Sequence, residues 1–500
     1  MIKRIAVAAV ALLLGLCLVV GVNTLRQGSR QLQVPPVAGA QVDLDAAASH
    51  LAEAVRLRTI SSLDDATLNA DQFLQLHALL QSRYPAAHRV LKREVVNGLS
   101  LLYTWPGSDP ALAPMALMAH QDVVPIAPGT EAQWQQPPFD GVQKDGFVWG
   151  RGAWDDKGNL VAQMEAVELL AASGWQPRRT IYLVFGADEE VGGLRGAAQV
   201  AALLGSRGVK LDFVIDEGLL ITDGILPGLS APAALIGVAE KGYLSVVLKA
   251  NVPPGHSSMP PPAGQSAIAM MSAVLNRLDG HQMPAAMRGV AQEMFATVAP
   301  EMSGFGRVAL SNLWLLGPVV QRQLEAKAST NAMLRTTTAL TLFNAGNKDN
   351  VLPGNADATV NFRILPGDSQ ASVLEHVHQQ VASVAPSEAI QLSSLPGASE
   401  PSAISPTGSA SYQLINRTVR ELFPGTVVAP GLMIAATDSR HFQGISDHIY
   451  RFSPVRAKPE DLPRFHGTNE RISSDNLGEL IRFYHRLLAQ SSSDAALATH

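Results

Sequence analysis

The chain has 500 residues, 47% hydrophobic and only 16% charged, with a formal net charge of −5 at pH 7. That length exceeds one small domain and predicts two with ample core, while the slight acidity excludes a basic nucleic-acid-binding face. A single cysteine, Cys17, excludes an intrachain disulfide and leaves any bound metal to imidazole and carboxylate donors.

In chain order, residues 1–22 come first. Residues 5–22 carry no charged or strongly polar group and follow Lys3 and Arg4. As a helix this run spans about 27 Å, enough to cross a bilayer, and no clear small-x-small cleavage site closes it. The expectation is an uncleaved signal-anchor, with a cleaved signal peptide as the alternative. Lys3, Arg4 and the terminal amine lie nearer the run than Arg26 and Arg30. That places the N-terminus in the cytosol and the body in the periplasm, a lumen or the cell exterior. Residues 23–42 read as a polar, Pro-containing tether, which implies a body that stands without residues 1–40.

Residues 115–119, 180–185 and 213–215 read as buried strands, with helices at 160–172 and 196–204 between them. Such alternation predicts an α/β domain over 43–239, with a parallel sheet and helices on both faces. Past residue 239 the pattern changes. A strand at 243–250, a Pro-rich stretch at 251–264 and a helix at 266–278 precede a long, helix-leaning insertion at 280–323. A strand at 357–364 and a helix at 371–384 follow. Residues 240–395 are therefore expected to form a smaller α+β lid domain. The Pro/Ser-rich stretch 395–409 marks the return to the first domain, 396–490, and 491–500 is a flexible tail.

Five short motifs carry the chemistry. In MAHQDVVP, His120 and Asp122 are two apart and share a face on extended backbone, so Asp122 can hold the imidazole while His120 binds metal. In GRGAWDDKG, Asp155 is the candidate bridge between two cations and Asp156 the candidate helix cap. FGADEEVGG crowds acids at a strand end, which is costly unless cations are present. One of Glu189 and Glu190 can bind metal while the other takes a proton. In VIDEG, Asp216 and Glu217 compete for one ligand role, and FHGTNERI offers His466 with Asn469, Glu470 and Arg471 as supporting partners. Two imidazoles and several carboxylates suit a pair of zinc ions sharing one carboxylate. Two zinc ions and a bridging hydroxide also balance three carboxylates, as a low-dielectric site requires.

In this order the motifs closely resemble the co-catalytic zinc aminoacylase and carboxypeptidase family, and within it the carboxypeptidase S branch, which includes secreted N-acyl-amino-acid hydrolases. GRGAWDDKG, DEEVGG, DEG and HGTNERI carry the likeness, which runs from about residue 45 to about 490. The resemblance implies an α/β catalytic domain with a mixed, mainly parallel sheet, interrupted by a lid that mediates dimerisation in relatives. It implies two zinc ions (Zn2+) per subunit held by His120, Asp155, Glu190, Glu217 and His466, with Asp155 bridging. Glu189 is then the general base and Asp122 the orienting acid. His256 in PGHSS would polarise the scissile carbonyl, across a homodimer in many relatives. Asn350 in DNVLP and Arg363 in FRILPGD match residues near the substrate, and Arg440 in ATDSR would pair with a substrate carboxylate. The implied substrate is a small peptide or N-acyl amino acid, cut at the amide bond next to its C-terminal residue. The 280–323 insertion departs from small-lid members, so their dimer geometry does not carry over. Competing readings are a two-zinc aminopeptidase and a catalytically inactive receptor-like ectodomain. A serine hydrolase finds no Gly-x-Ser-x-Gly elbow.

Overall fold

A computed structural model describes residues 1–226, 228–386 and 388–492; most of the expected tail at 491–500 lies outside the described residues. The apolar run forms the Ile2–Arg26 helix, which ends four residues beyond the expected residue 22, and nothing in the protein covers its most apolar stretch. It is long and apolar enough to cross a membrane, a test that a signal sequence also passes.

The expected tether is partly a strap. The Gln31 side chain donates to the Val428 carbonyl (3.0 Å) and accepts from the Val428 N–H (2.7 Å), behaving as one residue of an added strand. Arg420 donates to the Leu32 carbonyl, the Val37 N–H to the Glu421 carbonyl, and Arg482 to the Ala40 carbonyl. Composition did not reveal this because the partners lie some 400 positions away. Each such bond contributes about 1 kcal/mol. A chain starting at residue 43 should therefore melt several degrees below one starting at residue 28, as calorimetry would show. Equal midpoints would return residues 28–42 to a passive tether.

The catalytic body is built on an eight-stranded sheet. Its spatial order is Lys92–Val96, Ser100–Trp105, Ile181–Gly186, Met115–His120, Phe213–Thr222, Ile449–Ala457, Ala233–Glu240 and Val427–Met433. The Met115–His120 strand pairs in parallel with both neighbours, and every one of its residues is buried. That is why it reads as a continuous apolar run rather than an alternating one. Antiparallel pairing is confined to the first three strands, to a single residue pair between Ile449–Ala457 and Ala233–Glu240, and to a short contact of Phe213–Thr222 with Ala233–Glu240. The sheet is thus mixed and mainly parallel. Helices Leu44–Val55, Lys157–Ala172 and Ser474–Ser491 share the core on one face, and Ala197–Ser206 covers the other.

The smaller domain holds a four-stranded antiparallel sheet, ordered Thr337–Ala345, Asn355–Ile364, Gly242–Asn251 and Ile390–Ser394. Helices Ala267–Gly280 and Gln370–Ala382 pack on it around Val246, Met271, Phe362 and Val377. The outer strand Thr337–Ala345 leaves Leu340, Leu342 and Phe343 exposed.

The insertion, expected inside the lid, joins the lid core at Met283 and then leaves it. Helix Gly289–Val298 returns to the catalytic body, where Ala291, Met294, Phe295 and Val298 cluster with Ala233, Val427 and Ala429. The physical reason is the edge strand Val427–Met433, whose apolar residues would otherwise be open to water and to pairing. Lys241, buried where the chain leaves for the lid, donates to the carbonyls of Ala332 and Arg335 (both 2.9 Å), where the insertion ends.

Candidate metal centre

The donors gather at the carboxyl ends of the central strands, where open α/β sheets bind ligands. His120 ends its strand. Its Nε2 lies 3.0 Å from Asp155 Oδ1 and 3.4 Å from Glu217 Oε1. The His466 Nε2 lies 3.1 Å from Asp155 Oδ2 and 3.3 Å from Glu190 Oε2. The two oxygens of Asp155 therefore face two separate His–carboxylate pairs. His120, Asp155 and Glu190, and likewise His120, Asp156 and Glu217, offer donor atoms within 4.8 Å of one another. Glu190 Oε1 is buried without a hydrogen-bond partner. A buried lone carboxylate oxygen beside imidazole nitrogens fits a cation.

Glu217 reaches this cluster because its strand bulges. Against Ile449–Ala457 the register steps from Arg451↔Asp216 to Phe452↔Leu219, so Glu217 and Gly218 are extra residues. Gly218 has φ +146°, and a Cβ there would stand 2.8 Å from Arg451 Cβ. Bulges re-aim side chains at active sites in this way. Asp216 instead accepts from the Ser439 N–H at 2.8 Å.

The supporting shell differs in detail from the sequence reading. Asp122 does hold His120, through its main-chain carbonyl at 2.9 Å from Nδ1, with its carboxylate at 3.4 Å. That bond leaves Nε2 available as a donor to a metal. The Asp122 carboxylate also accepts from the N–H groups of Glu189 and Glu190 (3.1 Å each) and from Ser61 Oγ (2.6 Å). Asp156 stands at the N-cap of the Lys157–Ala172 helix but makes no side-chain cap bond. It accepts from the His120 N–H and from Asn159. Glu470, buried, accepts from the N–H groups of Trp154 and Asp155 and from Arg151 (2.7 Å). Arg151 in turn donates to the carbonyls of His466 and Gly467, so one ion pair fixes both sides of the centre. Asn469 bonds the backbone of Gln133 and Gln135. Arg151 lies within GRGAWDDKG, beside the ligand already singled out, and its charge was the available signal.

Without cations the cluster holds protons. Asp155 and Glu190 push the His466 imidazole up to about 10, and burial with the Asp155 charge pushes Glu217 up to about 8. Burial would raise Asp155 too, but the His120 and His466 imidazoles hold it below the usual carboxylate range. Burial carries Glu189 well above that range, reinforced by Glu217 and Asp438 and opposed by His120. Burial opposes it, but Glu217, Asp122 and Asp155 carry the His120 imidazole well above its ordinary value too. His120, His466 and Glu217 therefore hold protons that must leave before they ligate, and zinc affinity of the metal-free protein should rise with pH between 6 and 8. Competition with a chromophoric chelator measures this; a pH-independent affinity would remove these groups from the ligand set.

Behind the centre lies the Thr437–Arg440 loop. Glu240 accepts from the Thr437 N–H (3.2 Å), Thr437 Oγ1 (3.1 Å) and the buried Arg451 Nε (2.8 Å). Asp438 is buried with neither oxygen hydrogen-bonded, against Gly186 and Gly193. A Cβ on Gly193, at φ +69°, would sit 1.9 Å from Asp438 Oδ1, so DEEVGG needs its glycine there. Sequence reasoning missed Asp438, choosing Arg440 from the same motif. Arg440 donates to the Gly192 carbonyl at 2.6 Å. Arg363, on the lid strand Asn355–Ile364, stacks over Tyr243 at 4.9 Å and lies close enough to Arg440 to feel its charge. His256 and Asn350 also lie together, because the Asn350 carbonyl accepts from the Ser257 N–H. Both are exposed at the lid tip. His256 Nδ1 bonds Ser258, and no hydrogen bond or ion pair joins His256 to the metal-centre residues among the described residues.

An α/β body with an inserted lid and imidazole–carboxylate donors at its strand ends defines a metal-dependent hydrolase. The profile of peptidase family M20/M25/M40 matches residues 116–490. The chain is 38% identical to a probable carboxypeptidase S-like 2 of Dictyostelium discoideum, over 95% of this chain and 92% of that protein. It is 40% identical to the N-fatty-acyl-amino acid synthase/hydrolase PM20D1 of Xenopus tropicalis, over 88% of this chain and 85% of that one. Human carnosine dipeptidase 1 shares the fold, with TM-score 0.63 at 16% identity over 90% of this chain and 96% of that one. The chain belongs to the M20 peptidase family, as a metallo-hydrolase of the carboxypeptidase S-like and N-acyl-amino-acid hydrolase group.

Proposed function

We propose that the protein hydrolyses the amide bond next to a C-terminal amino acid, in a peptide or an N-acyl amino acid, using two zinc ions and Glu189 as general base. The observation that carries this reading is Asp155, whose two oxygens face His120 with Glu217 and His466 with Glu190. One metal would leave one of those pairs without a role. Two zinc ions bound there would acidify a shared water and polarise the scissile carbonyl. Glu189 takes the water's proton and delivers it to the leaving nitrogen. Asp122 keeps Glu189 and Glu190 in register through their N–H groups. Arg363 and Arg440 form a cationic pair for the substrate carboxylate, one from each domain. The exposed strand Thr337–Ala345 is the surface on which a second copy pairs, and His256 then serves the partner's site. The Ile2–Arg26 helix is a retained anchor that holds the body outside the cytosol.

The test is a panel of N-acyl amino acids and dipeptides with free or amidated C-termini, assayed in both directions with metal-loaded protein. Two zinc equivalents per chain and rejection of amidated substrates are expected. Turnover of amidated substrates at equal kcat/KM would remove the arginine pair from recognition, and one equivalent at full activity would remove the shared-carboxylate centre.

A further inference from the structure

The insertion carries an exposed apolar surface that the hydrolase chemistry does not use. Its helices Gly304–Ser311 and Leu313–Glu325 meet at Asn312, which is fully buried. There they knot to the end of the N-terminal helix. Asn23 donates to the Ser311 carbonyl (2.7 Å) and to Asn312 Oδ1 (3.0 Å), and Asn312 donates to Thr24 Oγ1 (2.9 Å). Gln27 also donates to the Ser311 carbonyl (3.2 Å), and Arg307 to the Gln27 carbonyl (3.4 Å). This is a built polar joint at the last turn of a helix whose most apolar stretch has a mean hydropathy of 3.0 and no buried residue.

Beside the joint the surface is apolar. Phe305 is 66% exposed, Trp314 60% and Val319 53%, with Leu315 one turn from Val319 on the same face. Trp314 lines an open groove with Leu18, Val19 and Val22. Arg26 borders that groove and Arg322 is exposed on the second helix. We propose that this helical pair is a membrane-docking surface, resting in the interface of the lipid bilayer that the N-terminal helix crosses. The proposal rests on the retained-anchor reading of that helix.

The geometry points to lipid rather than protein as occupant. Residues 5–22 span about 27 Å as a helix, close to the thickness of a hydrocarbon core. The joint at residues 23–27 therefore stands at the level of the headgroups. Whatever surrounds Leu18–Val22 also reaches Trp314, because they form one groove. A tryptophan at that height, apolar side chains beside it and arginines at the rim match the composition of a bilayer interface. Arginine near the surface adds attraction to anionic lipid.

The test uses the full chain with Cys17→Ser, reconstituted into phosphatidylcholine/phosphatidylglycerol vesicles. Single cysteines replacing Val10, Phe305, Val319 or Leu63 carry an environment-sensitive fluorophore, and circular dichroism checks the fold. Labels at 305 and 319 should shift to the blue and be quenched by lipids bearing a nitroxide near the headgroup. The label at 63, on an exposed loop of the body, should read water. If 305 and 319 match 63 while 10 reads lipid, the docking surface is overturned and the anchor stands. If 10 also reads water, both fail. Blue-shifted labels at 305 and 319 that lipid nitroxides do not quench, with cross-linking between copies, would overturn the proposal in favour of a contact between chains.

Discussion

Replacing Glu189 by Gln should lower kcat at least about 100-fold while leaving zinc content unchanged. The amide keeps the size and polarity of the side chain but cannot accept the water's proton. The backbone N–H of residue 189 still bonds Asp122, so the Glu190 position is not disturbed. Glu190→Gln should behave in the opposite sense, losing zinc, because Glu190 Oε2 is the carboxylate oxygen 3.3 Å from His466 Nε2. Metal analysis beside single-turnover rates separates the two. Should Glu189→Gln lose zinc while Glu190→Gln retains it, the base and the ligand are exchanged.

The second large effect is expected at His256, an exposed residue of the lid that makes no hydrogen bond or ion pair with the donors among the described residues. His256→Ala should lower kcat by about 100- to 1,000-fold, the loss typical of one oxyanion donor, or about 2.7–4 kcal/mol. Zinc content and thermal midpoint should not change, since the His256 side chain is exposed and bonds only Ser258. If the residue acts on a partner copy, mixing His256→Ala with Glu189→Gln subunits restores one intact site per heterodimer, and part of the activity returns. Wild-type kcat for His256→Ala would leave it an ordinary loop histidine. A reduced kcat without complementation, after confirmed subunit exchange, would place its action within one chain.

Much of the candidate centre was legible because each donor lies in its own short motif, several of them at the end of a buried apolar run. His120, Glu189 and Glu190 follow strands that the alternation of strand and helix makes visible, and local signals suffice there. The choice between Asp216 and Glu217 was not legible. It depends on a bulge set by pairing with residues 449–457, where Glu217 and Gly218 stand outside the register and the side chain is re-aimed. The Arg151–Glu470 pair joins residues 319 positions apart. The strap at Gln31 and the packing of helix Gly289–Val298 on strand Val427–Met433 are likewise long-range events. Local propensity carries no information about which edge strand needs covering.

That packing changes how the lid can move. Because the insertion leaves the lid core and returns to it, the chain passes between the domains four times instead of twice: near residues 241, 285, 335 and 395. Lys241 ties the first and third passages together through the carbonyls of Ala332 and Arg335. Two crossings make a door; four, two of them riveted, make a drawbridge with a fixed axle. Such a joint restricts the lid to a shallow tilt about that line. Loosening the rivet with Lys241→Met would widen the swing before it changed the chemistry.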